Sequence, residues 1–64
     1  MHLNAKTFSI AKDLEHEAEY DIDDAGKGWL VVPAREVQRI AEEHGALTAV
    51  VRDIAFSIGM KVAD

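Results

Sequence analysis

Asp13-Leu14-Glu15-His16-Glu17-Ala18-Glu19-Tyr20-Asp21-Ile22-Asp23 is the stretch on which the fold turns. Every odd position is acidic, and between the acids stand Leu14, His16, Ala18, Tyr20 and Ile22. Consecutive side chains of a strand point to opposite faces. A period of two therefore predicts extended chain with one apolar and one acidic face. Phe8 and Ile10 continue the even series upstream until Lys12 interrupts it. One strand over 8–23 would be unusually long, so a break near Lys12-Asp13 divides it into two strands. A helical reading competes over 9–19. Ala, Lys, Leu and Glu are strong helix formers, and Ile10, Ala11, Leu14 and Ala18 share a helical face. The alternation, with the aromatic and branched residues at 20–22, turns the reading to strand.

Asp23-Asp24-Ala25-Gly26-Lys27-Gly28 is a turn, because Asp caps local backbone groups and Gly tolerates positive φ. Trp29-Leu30-Val31-Val32 then reads as a short strand buried on both faces, with Glu17–Ile22 across the loop as its partner. Pro33 suits the first position of a helix, where its missing N–H is no loss. That helix spans 34–44, with Val37, Ile40, Ala41 and His44 on one face and Gly45 as its stop.

The tail alternates again. Val50, Arg52, Ile54, Phe56, Ile58, Met60 and Val62 occupy the even positions, which predicts a strand over 53–62. Its helical alternative places Leu47, Val50, Val51, Ile54 and Ile58 on one face, with Thr48 as N-cap. The expected fold over residues 1–64 is therefore one α+β domain. It has a small antiparallel sheet crossed by one helix, in the order β-β-β-α-β. The alternative is a three-helix domain containing a helix-turn-helix.

Composition bounds the function. The chain has 64 residues and no cysteine, so neither a disulfide nor a thiolate metal site is available. A domain of this size buries only about 60% of its unfolded surface, and without a staple a homo-oligomer is expected. No apolar run approaches a membrane span. The opening Met1-His2-Leu3-Asn4-Ala5-Lys6 has no signal-peptide pattern, which predicts a cytoplasmic protein. The net charge is −5. Residues 1–27 set seven acids against three lysines, whereas residues 28–64 set five acids against four cations. Such a field opposes binding to nucleic acid and anionic membranes and favours a basic partner.

Catalytic patterns all break off. Asp21, Asp23 and Gly26 match the first, third and sixth positions of a calcium loop, but Ala25, Trp29 and Val32 stand where further ligands belong. His16-Glu17 opens like a zinc-protease motif, but Tyr20 occupies the place of the second His. His16 and His44 could meet only through the fold. Gly26-Lys27-Gly28 lacks the spacing of a phosphate loop, and Ser9 and Ser57 lie in no nucleophile motif. The expectation is a non-enzymatic protein without cofactor or metal.

Two DNA-binding patterns bear on the alternative. Ala41, Gly45, Val51 and Ile54 fall at the core and turn positions of a helix-turn-helix. Its second helix would then offer Ala49, Arg52, Asp53 and Phe56, a poor set for phosphate contacts. Separately, Gly28-Trp29-Leu30-Val31-Val32-Pro33-Ala34-Arg35-Glu36-Val37 resembles the Gly-apolar-Pro-x-Glu-apolar stretch of AbrB-type swapped-hairpin antitoxins and transition-state regulators. Those proteins bind DNA as dimers through basic loops. The resemblance implies a DNA-binding regulator or antitoxin, with Arg35, Arg39, Arg52 and Lys61 touching phosphate, although the preceding segment here is acidic.

The leading expectation rests on the acidic row. Acids on one strand face repeat with a regularity comparable to the charges along a nucleic-acid strand. Such a face can occupy a basic nucleic-acid-binding surface of another protein, as small phage inhibitors that mimic nucleic acid do. Glu15, Glu17, Glu19, Asp21 and Asp23 would steer and dock, with Tyr20 and Trp29 as aromatic anchors. The plain alternative is that these acids keep a small sheet dissolved and discourage edge pairing.

Overall fold

In the computed structural model, which describes residues 4–64, the N-terminal segment is a helix, α1 (Ala5–Glu17). The reading of the first residues as lacking a signal pattern falls partly on 1–3, outside the described residues. Asn4 begins α1 by accepting the Thr7 amide on its side chain at 2.8 Å, which satisfies one of the helix's orphan donors. Ile10, Ala11 and Leu14 are buried along one face. The expected strand over 8–12 and the first half of the acidic strand are thus corrected to helix. Leu14 and Ile10 meet the core at a spacing of four, and that burial outweighs the coincidental alternation around them. Ala18 is extended and ends the helix.

Strand β1 (Glu19–Ile22) follows, then β2 (Gly28–Pro33), antiparallel to it with Tyr20 opposite Leu30 and Ile22 opposite Gly28. The loop forms as its composition predicts. The Asp23 amide donates to the Lys27 carbonyl, the Gly26 amide donates to the Asp23 carbonyl, and Gly26 takes φ of 81°. This is a three-residue hairpin loop closed by a left-handed glycine.

Helix α2 (Ala34–His44) starts directly from β2, over the expected residues. Pro33 is extended and precedes the first helical residue instead of occupying it. Gly45 ends α2 in the left-handed conformation, at φ of 62°. The Ala46 amide reaches back to the Ala41 carbonyl at 2.8 Å, the long bond of a Schellman cap. Helix α3 (Thr48–Ser57) comes three residues later, and Gly59, at φ of 85°, turns the chain into β3 (Met60–Ala63). The expected strand over 53–62 is corrected to a helix through Ser57 and a strand only from Met60. Val51 and Ala55, spaced four apart, are the buried residues of α3.

The sheet order is β1-β2-β3, and β3 runs parallel to β2 with Leu30 beside Met60 and Val32 beside Val62. The sheet is mixed, not antiparallel, and three helices replace the expected one. The α+β class holds. The α2–Gly45–α3 turn of the alternative reading is present within it, but an all-helical domain is not.

The core joins Ile10 and Leu14 of α1, Val37, Ile40 and Ala41 of α2, and Val51 and Ala55 of α3 to Val32 and Met60 of the sheet. A bond of 2.6 Å between His44 Nε2 and Asp13 Oδ2 ties the end of α2 to α1. Arg39 fastens the exposed side of α2 by donating to Glu36 at 2.7 Å and to Glu43 at 2.5 Å. These two carboxylates raise the pKa of its guanidinium above the ordinary arginine value.

Candidate functional site

Strand register assigns the side chains to faces. Tyr20, Ile22, Gly28, Leu30, Val32, Met60 and Val62 share the face that meets the helices. Glu19, Asp21, Trp29, Val31 and Lys61 share the other. The helices cover only the part of the inner face nearest β3. Val32 and Met60 are buried there, whereas exposure rises from 42% at Leu30 to 61% at Ile22 and 70% at Tyr20. The hairpin therefore carries an apolar patch beyond the end of the helical layer. Trp29-Leu30-Val31-Val32 is not buried on both faces: Leu30 is exposed on the inner face, and Trp29 and Val31 are only half-buried on the outer one.

Gly28 shapes the patch. A Cβ at this position would stand 1.7 Å from the Tyr20 hydroxyl oxygen. The missing side chain lets the Tyr20 ring lie across the neighbouring strand, the arrangement by which an aromatic shields a strand glycine.

The acids do not form one face. Glu15 is exposed on α1. Glu17, half-buried at the end of α1, lies 3.6 Å from Arg39 Nη2 and 3.5 Å from His16. Glu19 and Asp21 are exposed on the outer face of β1. The row is broken at Ala18, where helix gives way to strand.

Asp23 serves the loop. Its carboxylate accepts the Ala25 amide at 3.0 Å, the Lys27 amide at 2.9 Å and the Trp29 indole N–H at 3.0 Å. The Lys27 amide, followed by the Trp29 indole, holds its pKa below the ordinary 3.8. Trp29 is half-buried on the outer face, with Lys27 Nζ 4.4 Å and Lys61 Nζ 4.1 Å from its ring. Two cation–π contacts and one hydrogen bond thus hold Trp29 to its own sheet.

Tyr20 and Trp29, paired above as anchors, lie on opposite faces. Ile22 and Leu30, not singled out from the sequence, complete the patch with Tyr20. Their shared face follows from a hairpin register set by Asp23 and Gly26, so the loop was the signal that could have located them.

The catalytic patterns are not completed. His16 lies beside Glu17, and His44 meets Asp13 instead of His16. The Ser57 hydroxyl donates to the Asp53 carbonyl of its own helix at 2.8 Å. Among the described residues no three His, Asp or Glu side chains gather as a metal site. No helix described is long and apolar enough to cross a membrane.

The cations proposed for phosphate contact are partly engaged. Arg39 holds carboxylates on α2, Arg52 reaches Asp64 at 2.8 Å, and Lys61 lies on Trp29. The ten residues resembling the AbrB-type segment form β2 and the first turn of α2. Comparison with protein families, curated proteins and solved structures returns no match.

Proposed function

We propose that this chain is a non-enzymatic protein-interaction module that docks through its β1–β2 hairpin. The observation that carries the reading is the uncovered apolar face of Tyr20, Ile22 and Leu30, set on a hairpin whose other face presents Glu19 and Asp21. Large apolar side chains aligned on one exposed face favour association with a protein surface. The acids on the opposite face and on α1 give the hairpin a negative field that favours a partner with Lys and Arg beside its apolar patch, including the nucleic-acid-binding surfaces of other proteins. Glu15, Glu19 and Asp21 act as steering charges, and Tyr20 with Ile22 and Leu30 as the contact. Asp23 and Trp29 shape the hairpin from within.

The test neutralises Glu15, Glu19 and Asp21 together to Gln or Asn. Asn at 21 keeps the oxygen that accepts the Ile22 amide. The fold, followed by circular dichroism, stays unchanged, and association with the partner slows by roughly 10–1000-fold. Added salt slows the wild type far more than the variant. An unchanged association rate contradicts the proposal.

A second reading, a DNA-binding regulator, draws support from the α2–Gly45–α3 turn. Against it, α3 presents Ala49, Asp53 and Phe56 with Arg52, and Arg52 is tied to Asp64. Binding of duplex DNA at physiological salt, lost on Arg52→Ala, would favour this second reading.

A further inference from the structure

The two edges of the sheet are unlike. On β1, the bond from the Asp23 amide to Lys27 fixes the hairpin register, so Tyr20 and Ile22 turn their backbone groups to the outer edge. The outward Ile22 amide is taken by Asp21 Oδ1 at 3.0 Å. An acidic side chain capping an edge amide is a device against strand addition. Strand β3, at the other edge, has no proline and one charged side chain, Lys61, which lies on Trp29.

Beside β3 lies an open groove of about 380 Å³ lined by Arg52, Asp53 and Phe56 of α3 with Met60, Lys61 and Val62. Phe56 is 81% exposed. Around this groove two cations, Arg52 and Lys61, balance two anions, Asp53 and Asp64, whereas the whole chain carries −5. Two copies approaching by this side bring no net charge together, and a patch with both signs can face itself across a two-fold axis.

We infer that the outer edge of β3 takes β3 of a second copy, antiparallel about a two-fold axis, to give a continuous six-stranded sheet. The register follows from charge and facing. A sheet with all helices on one side pairs residues of like parity. Centring on Lys61 would set Lys61 against itself. Centring on Val62 sets Val62 against its own copy, Lys61 against Ala63 and Met60 against Asp64. Phe56 then contributes to covering the joined groove. This contact is separate from the hairpin patch and leaves Tyr20, Ile22 and Leu30 accessible.

The absence of cysteine makes the register directly testable. In the expected pairing, residue 62 and its copy lie about 5 Å apart between Cα atoms, within disulfide range. The wild type should sediment as a dimer across the micromolar range. Mild oxidation should link Val62→Cys into a covalent dimer while leaving the Ile22→Cys control unlinked. Phe56→Glu, at an exposed position, should sediment as a monomer with an unchanged circular dichroism spectrum. A wild type that remains monomeric up to millimolar concentration overturns the inference. A dimer that survives Phe56→Glu and links through Ile22→Cys but not Val62→Cys also overturns it.

Discussion

Leu14 sits fully buried between two acids, half-buried Asp13 and exposed Glu15, and it decides the register of α1. Truncating Leu14 to Ala leaves a cavity where three helices and the sheet converge, with an expected loss of ~2–5 kcal/mol. A domain of this length holds on the order of 3–10 kcal/mol in total, so L14A should be largely unfolded or near its threshold. Urea denaturation checks this. A loss below about 1 kcal/mol would place Leu14 on a surface.

Asp23 makes a second prediction at the same scale. Its folded pKa is lowered, first by the Lys27 amide and then by the Trp29 indole. The stabilisation from its ionised form is therefore present above the ordinary 3.8 and is lost as pH falls through the lower folded value. The indole N–H resonance of Trp29 should titrate with a midpoint below 3.8. A midpoint at or above that value would mean the carboxylate does not hold the loop.

At the scale of elements, period-two patterns arose twice, and each held over its end, at β1 and β3, but misled over the helix before it. Both α1 and α3 are short helices whose deeply buried residues lie four apart, Ile10 with Leu14 and Val51 with Ala55. Four is also a multiple of two, so Ile10 and Leu14 fall in the even series that reads as strand, whereas in α3 the buried pair is odd and the even series of Val50, Phe56 and Ile58 is exposed. The capping residues hold the missing information: Asn4 begins α1, and Gly59 separates α3 from β3. By contrast, α2 was legible because Pro33, Gly45 and an apolar face at 37, 40 and 41 agree. The hairpin was legible in its loop and pairing, but the exposure of its inner face was not. That exposure depends on where the helices end above the sheet, a tertiary fact. The candidate acids were identifiable as residues, but their split between helix and strand was not.

His44 and Asp13 join α1 to α2 beside the Glu17–Arg39 pair and the shared core. His44→Ala should cost about 1 kcal/mol, because the bond is partly exposed. Amide exchange should accelerate more in α1 than in α2 and α3. Uniform acceleration across the chain would mean that the pair does not act at that junction.

Across the whole molecule, charge and apolar exposure are distributed together. Cations are drawn onto internal partners: Arg39 onto Glu36 and Glu43, Arg52 onto Asp64, and Lys27 with Lys61 onto Trp29. Glu15, Glu19, Asp21 and Asp24 remain exposed near or on the hairpin. On the hairpin Glu19, Asp21, Asp23 and Asp24 outnumber Lys27, so its field is negative, and its uncovered inner face is apolar. Dimerisation through β3 would present two such hairpins at opposite ends of one sheet, so a partner with two sites would gain from both.

The most direct measurement of the hairpin's role is quantitative capture from the native host extract on immobilised protein. Tyr20→Ser/Ile22→Ser is run in parallel after confirmation that its helical signal matches wild type. A protein with a basic surface should be retained by wild type, released as salt rises, and lost from the double variant. Equal retention by both proteins, or retention only of nucleic acid, would contradict the hairpin's docking role.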